Sequence, residues 1–589
     1  MKRLFPLLVW LFLASALSLP ALVICVAPGG NDQNDGTIEN PLQSLEMAQM
    51  KVRELEKGKE DHFILIRGGR YELSSPLRFS ELDGGVLGQR VVWKAFPGEE
   101  VRISGGRILS GWTKGRGGVW TAALPEGGWR FRELFVNGQR RNRARFPDVG
   151  FLRVAKAGED RRTWFEFNEG DLPPLQNVKD LELVFLHDWS ISRVGVKSID
   201  VESRRVDLTH PVGCSAPHYA MDHFEKQPRY FLENSRAFLD RPGEWYLDVE
   251  EGQIHYLPLP GESMDSVEVV APFASALIKG KGVSLPIRNL EFEDLILEHQ
   301  SWLLPEQGYA EGQASYYEIR GGAPGGMTRE FTPAAVHIEN AEDCRMLNCT
   351  VQHVGGGGIW FGSLTRNCSV ERCLVMDVSG NGVMFGEDRT RYVDGKVWHD
   401  SRPEQISTGN WLIDSEIMGV GRQFYGAVGV WAGIVAEVVI ERNHIHHLPY
   451  TGISVGWMWN PTPTGARDNS VSWNHIHDVM LILSDGGGIY SLGHQPGSRF
   501  IGNRIHGVRV NAGRAESNGM FLDEGTTDLL IAGNTIFDIA RSPLRFHRAT
   551  TNLVERNFLV CGPGVPPIRY NSTKPETILQ SDNVVMVEE

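Results

Sequence analysis

Four cysteines set the first constraint on this chain. Cys344 and Cys349, then Cys368 and Cys373, form two pairs with the same internal spacing and a common offset of 24 residues. The offset reaches past the cysteines. Cys344-Arg-Met-Leu-Asn-Cys349 leads to Gly358-Ile-Trp-Phe-Gly362, and Cys368-Ser-Val-Glu-Arg-Cys373 leads to Gly382-Val-Met-Phe-Gly386. The cadence returns as Asn443-His-Ile-His before Gly452-Ile-Ser-Val-Gly456, and Asn474-His-Ile-His before Gly488-Ile-Tyr-Ser-Leu-Gly493. Asn503-Arg-Ile-His then precedes Gly519-Met-Phe-Leu-Asp523, followed by Asn534-Thr-Ile-Phe and Asn557-Phe-Leu-Val. The asparagine steps of 31, 29, 31 and 23 residues suit one coil each, with loops of varying length inserted. A period in this range marks stacked repeats.

Within a unit, two or three strands of about four residues alternate apolar and polar positions between Gly or Asn. No sustained helical period follows Ala335, which excludes βαβ repeats. An all-β parallel β-helix meets these demands: strands stack on the next coil, apolar residues form internal ladders, and Asn or Gly accepts the corner conformation. Glycine, 66 of 589 residues, is in excess at about 11% against a usual ~7%, as many tight corners require. With 22% charged and 9% aromatic residues, the chain is neither disordered nor collagen-like. The paired cysteines fit buried thiols in stacked positions better than disulfide bridges.

Residues 1–21 read as a secretory signal peptide. Lys2 and Arg3 precede an apolar run from Leu4 to Leu17, and Ala16-Leu17-Ser18 offers small residues for cleavage. Export to the periplasm or the exterior is expected, with no membrane span, because the apolar run is short. Residues 22–104 begin the β-helix, 105–272 form a β-rich insertion without the cadence, and 273–589 form the main β-helix. Residues 301–332 and 387–410 are expected to leave the solenoid as long loops, which are commonly functional or disordered. The net charge of −14 disfavours nucleic acid or an anionic membrane as the main partner.

The chain resembles exported right-handed parallel β-helix glycoside hydrolases, most closely glycoside hydrolase family 141 and its unclassified relatives. The resemblance rests on Val26-Ala-Pro-Gly-Gly-Asn-Asp32 with Gly36-Thr37, Leu134-Phe-Val-Asn-Gly-Gln139 with Ala144-Arg-Phe-Pro147, and Gly243-Glu-Trp-Tyr-Leu-Asp248. It continues in Gly452-Ile-Ser-Val-Gly-Trp457, Asp485-Gly-Gly-Gly-Ile-Tyr490 and Leu522-Asp-Glu-Gly525. It implies right-handedness and a glycan substrate; members of the family include α-L-fucosidase and xylanase activities. Fold alone assigns no reaction.

Glycoside hydrolysis normally uses two carboxyl groups, one acid and one base or nucleophile. Aligning the Gly-apolar units turns Ile453, Ile489 and Met520 inward, and Ser454, Tyr490, Phe521 and then Asp523 outward. The following coil offers Arg545 and His547, and His494 lies just past its strand. Asp523 is the first catalytic candidate, with Asp485 or Glu524 as its partner; Asp523 and Asp485 also suit turn-capping roles. On straight strands Asp485 would stand ~20 Å from Asp523, beyond the ~5–10 Å of a hydrolase pair. A bend at Gly486-Gly487-Gly488 is therefore required. Trp431, Trp457, Trp459 and Tyr490 are candidates to cover a pyranose face, or else pack beneath loops. His494, Arg545 and His547 would bind hydroxyls or tune the acid.

The histidines of His444-Ile-His446 and His475-Ile-His477 form stacked outward positions that read as a solvated ladder. No catalytic metal and no cofactor is expected. The expected function is that of an exported hydrolase of a complex glycan, an α-L-fucosidase or related exo-glycosidase acting on an oligosaccharide or polysaccharide. A polysaccharide lyase and a non-catalytic glycan-binding solenoid are the alternatives.

Overall fold

Glycine, asparagine and β-branched residues occupy successive corners and strands of a solenoid, and each has a physical reason for its position. The computed structural model describes residues 22–588 apart from 59, 126–127, 176, 321–328 and 512; the expected signal peptide, 1–21, and part of the 301–332 stretch lie outside the described residues. Three long parallel sheets, of thirteen, twelve and eleven strands among the described residues, run the length of the molecule. The first runs from Leu22–Val26 to Ile578–Ser581, the second from Gly69–Glu72 to Val584–Val587, and the third from Leu77–Phe79 to Ile568–Asn571.

The second sheet shows how the core is built. Val351, Val375, Ile417, Ile445, Ile476, Ile505, Ile536 and Leu559 pair coil to coil in one inward column. All eight are fully buried, and burying such a side chain contributes roughly 1.5–3 kcal/mol. On the third sheet one inward position per coil is glycine. A Cβ on Gly382, Gly429 or Gly452 would stand 2.4, 2.7 or 2.6 Å from the carbonyl oxygen of Gly429, Gly452 or Gly488 respectively. The conserved cadence of the repeat unit is thus a close backbone approach that admits no side chain.

A corner is held by stacked amides. Asn443, Asn474, Asn503, Asn534, Asn557 and Asn583 each accept, at the side-chain oxygen, bonds from the side chain or backbone N–H of the coil before. The cysteine pair joins the same column, since the Cys373 N–H donates to Ser415 Oγ and the Ser415 N–H to Asn443 Oδ1. All seven cysteines are free and buried.

The chain leaves the solenoid after Val101–Ser104 and returns at Ile278–Lys281. Between them lie an eight-stranded sheet and most of a ten-stranded sheet. The 301–332 stretch is not a bare loop: its strands Tyr309–Gln313, Tyr316–Glu318 and Arg329–Phe331 extend the ten-stranded sheet. Those strands carry the insertion over the outer face of the third sheet. The 387–410 stretch holds a hairpin, Tyr392–Val393 with Lys396–Val397, and the short helix Trp398–Ser401.

Candidate active site

The late coils of the third sheet present one outward column over another. Ile453, Ile489, Met520 and Leu544 pair in register and are fully buried, so their neighbours Ser454, Tyr490, Phe521 and Arg545 face outward. Alternation then turns Asp523 and His547 to the same face, one coil apart. His547 Nδ1 lies 2.6 Å from Asp523 Oδ1, and the Tyr490 hydroxyl donates to Asp523 Oδ2 at 2.6 Å. Both carboxyl oxygens are therefore held in place.

Gly486, Gly487 and Gly488 lie in the strand Gly486–Ser491, in register with Ser517–Leu522, and none has positive φ. Strict alternation breaks there, because a Cβ on Gly488 would point inward at Ile505 while Ile489 is also buried in the core. The left-handed residue is Asp485 itself, with φ 62°, a conformation Asp tolerates better than most. The glycines also make room: a Cβ on Gly486 would meet Thr451 Oγ1 at 2.6 Å and the Tyr450 ring at 2.9 Å. Arg545, rooted two residues before His547 on the same strand, lies over the Phe521 ring at 4.1 Å and donates to Asp485 Oδ1 at 2.9 Å. Its Nε donates to Asn571 Oδ1. Burial pushes the Asp485 carboxyl up from its ordinary value; Arg545 opposes this and the nearby charge of Asp523 adds to it.

These residues line a cleft of about 1410 Å³ between the third sheet, the insertion and the two long stretches. Trp189, His218 and Phe224 come from the insertion, Gln313 and Tyr316 from the 301–332 stretch, and Asp388 and Arg389 from the 387–410 stretch. Sequence reasoning missed all seven, together with Glu516, Arg514 and Arg569 on the late coils. The only signal was the length of the two stretches, since the insertion carries no repeat to place its side chains. Gln313 donates to the Tyr450 hydroxyl, which in turn donates to the Asp485 carbonyl, so this stretch braces the backbone of Asp485.

Trp431 and His494 lie outside the cleft lining, and Trp457 and Glu524 line it with other partners. Trp431 is fully buried under Phe331, at 4.5 Å between ring centroids, and has no surface to offer a sugar. Trp457 lines the cleft but is equally buried, edge-on to Trp459 at 5.1 Å. The strand Arg329–Phe331, which covers both rings, is what the sequence did not disclose. Trp459 remains partly open at the cleft. His494 lies outside the cleft lining, with Nε2 2.8 Å from Asp528 Oδ2. Glu524 lines the cleft, but a turn after Leu522 sends it to an ion pair with Arg548 at 2.5 Å.

Two groups of three potential metal ligands occur among the described residues, and neither includes a cleft-lining residue. Glu298, His299 and His353 are buried; His444, His446 and His477 lie on the second sheet.

The comparisons with known proteins agree with this architecture. Residues 117–259 match the model described as the GH141 insertion domain, and residues 334–536 match the right handed beta helix region. A solved structure titled "Glycoside hydrolase" superposes with a TM-score of 0.81 at 24% identity, covering 96% of each chain. A curated relative, pectate lyase PEL9 of Emericella nidulans, is 33% identical over 97 residues, which are 16% of this chain and 22% of that protein. The chain thus spans only a small part of the curated relative it matches. The molecule is an all-β right-handed parallel β-helix whose residues 117–259 match the GH141 insertion domain, and it resembles the right-handed parallel β-helix glycoside hydrolases of family 141.

Proposed function

We propose that this chain is an exported glycoside hydrolase acting on a complex glycan, as an α-L-fucosidase or a related exo-glycosidase. One observation carries the reading: two carboxyl groups on adjacent coils face one cleft in different environments. Asp485, whose carboxyl burial pushes up, is suited to hold a proton and deliver it to the leaving oxygen. Asp523, gripped by Tyr490 and His547, is suited to act on the other side as nucleophile or as base toward water. Trp459, Trp189 and Phe224 offer apolar faces to a sugar ring. Export rests on residues 1–21 and is tested by the position of the mature N-terminus in secreted protein.

The experiment is incubation with a panel of fucosylated, galactosylated and plant-type glycans, followed by product mass and anomer analysis. Asp523→Asn and Asp485→Asn should each lower turnover by at least about a hundredfold, as expected for loss of an acid–base group. Full activity of Asp523→Asn on the cleaved glycan sinks the assignment.

A lyase reading draws on two observations: the short likeness to a pectate lyase and the arginines Arg389, Arg514, Arg541, Arg545, Arg548 and Arg569 along the cleft. Four of these are already paired to carboxylates, Arg514 to Asp188, Arg545 to Asp485, Arg548 to Glu524 and Arg569 to Glu516. That leaves less positive charge to neutralise a uronate. Ultraviolet-absorbing unsaturated products would favour the lyase over the hydrolase.

A further inference from the structure

The second sheet carries a histidine array unconnected with the cleft. Glu416 and His444 pair in register, as do Met418 and His446, and the next coil adds His475 and His477. Inward Ile417, Ile445 and Ile476 leave the flanking side chains on the outer face. The rings of His446 and His477 stack in parallel at 5.0 Å. Across the diagonal, His444 Nε2 stands 2.8 Å from His477 Nε2.

That diagonal contact is unusual for its proton requirement. His477 Nδ1 is 2.7 Å from Asp478 Oδ2, an arrangement that holds the proton on Nδ1 and leaves a lone pair on Nε2. His444 Nδ1 faces Glu416 Oε1 at 3.5 Å, which favours the same tautomer. Two lone pairs then point at each other. His446 Nδ1 meets His447 Nδ1 at 2.6 Å, while its Nε2 lies 3.0 Å from Glu416 Oε1. One ligand atom from each of His444, His446 and His477 falls within 4.8 Å of the others.

We propose that His444, His446 and His477 form a binding site for a zinc-class divalent transition metal that clamps two successive coils, with Glu416 behind His444. Three imidazole nitrogens that leave a fourth position to solvent are a ligand set that zinc accepts at about 2.0–2.1 Å in tetrahedral geometry. A carboxylate behind a ligating histidine, as Asp478 is behind His477, orients the ring and raises its basicity. The parallel pair His475 and His506, also 2.8 Å apart, has no such third ligand among the described residues.

The test uses the full mature chain without a histidine tag, stripped with chelator and titrated with zinc or cobalt(II). The expected result is one metal per chain, a visible cobalt spectrum of a four-coordinate nitrogen-rich site, and an upward shift in thermal midpoint. His444→Gln and His477→Gln should lose the stoichiometric metal and the shift, whereas His506→Gln keeps both. Absence of stoichiometric metal in the parent, or its retention in both His444→Gln and His477→Gln, overturns the proposal. Loss in His506→Gln with retention in His444→Gln overturns it too. Should the two ligand variants not fold, the cobalt spectrum of the parent decides: without the four-coordinate signature there is no such site.

Discussion

Arg545 holds the Asp485 carboxyl from a strand one coil beyond that of Asp523. Its backbone belongs to the row beside His547, while its guanidinium lies over Phe521 and reaches Asp485. The positive charge lowers the Asp485 carboxyl against the larger upward push of burial. Removing it should therefore raise that carboxyl further. For an acid that must hold its proton, the rate falls as pH rises through its pKa. Arg545→Gln is expected to move the alkaline limb of the kcat/KM profile to higher pH while lowering the maximal rate. A variant with unchanged limb position would show that Asp485 is not the group titrating there. The effect separates a positioning role from a merely structural one, since loss of fold lowers the rate without displacing the limb.

At the scale of the element, the corner column makes a graded prediction. Asn503 is fully buried and its side chain takes part in four bonds: it accepts from the Asn474 backbone and side chain, and donates to the Val471 carbonyl and Asn534 Oδ1. Asn503→Ala leaves buried donors and acceptors unpaired at about 1–3 kcal/mol each, so a loss of at least about 3 kcal/mol is expected in denaturant or thermal unfolding. Asn583 occupies the last rung and is less buried; water can replace its bonds, and Asn583→Ala should cost about 1 kcal/mol or less. Equal losses at the two positions would mean the column contributes no cooperative stacking. The recurring Asn and Gly positions and the Tyr490–Phe521–Arg545 row were legible in the sequence, because a coil repeat with strand alternation dictates which side chains stack. The Asp523–His547 contact follows from the same rule. That the Asn stack amides and the Gly admit a close backbone approach, rather than adopt the corner conformation, was not legible. The left-handed residues are those just before each Asn, such as Arg442, Trp473 and Arg556. The rest depends on chain without a period. Arg329–Phe331 buries Trp431 and Trp457, Gln313 and Tyr450 brace Asp485, and the insertion supplies Trp189, His218 and Phe224. The ion pair of Arg545 with Asp485, formed by the full reach of an arginine, is likewise invisible to Cα spacing.

For the whole molecule, the insertion and the solenoid are joined through buried polar groups rather than an apolar seam alone. Arg193 pairs with Glu182 and Glu233 and donates to the Gln423 carbonyl, while Arg132 pairs with Glu182 and bonds the Gln423 side chain. Glu311 sits at the same junction. It accepts from the Ile191 N–H of the insertion, the Gly426 N–H of the solenoid, the Ser315 N–H and the Tyr309 hydroxyl. Complete burial nevertheless pushes its carboxyl up to about 7, against a reference of 4.5. With the folded value above the unfolded one, the native state binds more protons between those two pH values. The contribution of this group to stability is therefore full below the unfolded pKa and is lost as pH rises through the folded one, by roughly 3 kcal/mol. Glu311→Gln cannot titrate, and it turns an amide N–H₂ toward donors that a carboxyl oxygen accepted, so it should destabilise the fold at every pH. The informative quantity is the difference between parent and variant. It should be largest near pH 5 and shrink by a few kcal/mol toward pH 8, read from denaturant midpoints at matched ionic strength. A difference that stays level across that range, or grows with pH, would mean that Glu311 is ionised throughout and that the four donors outweigh its burial.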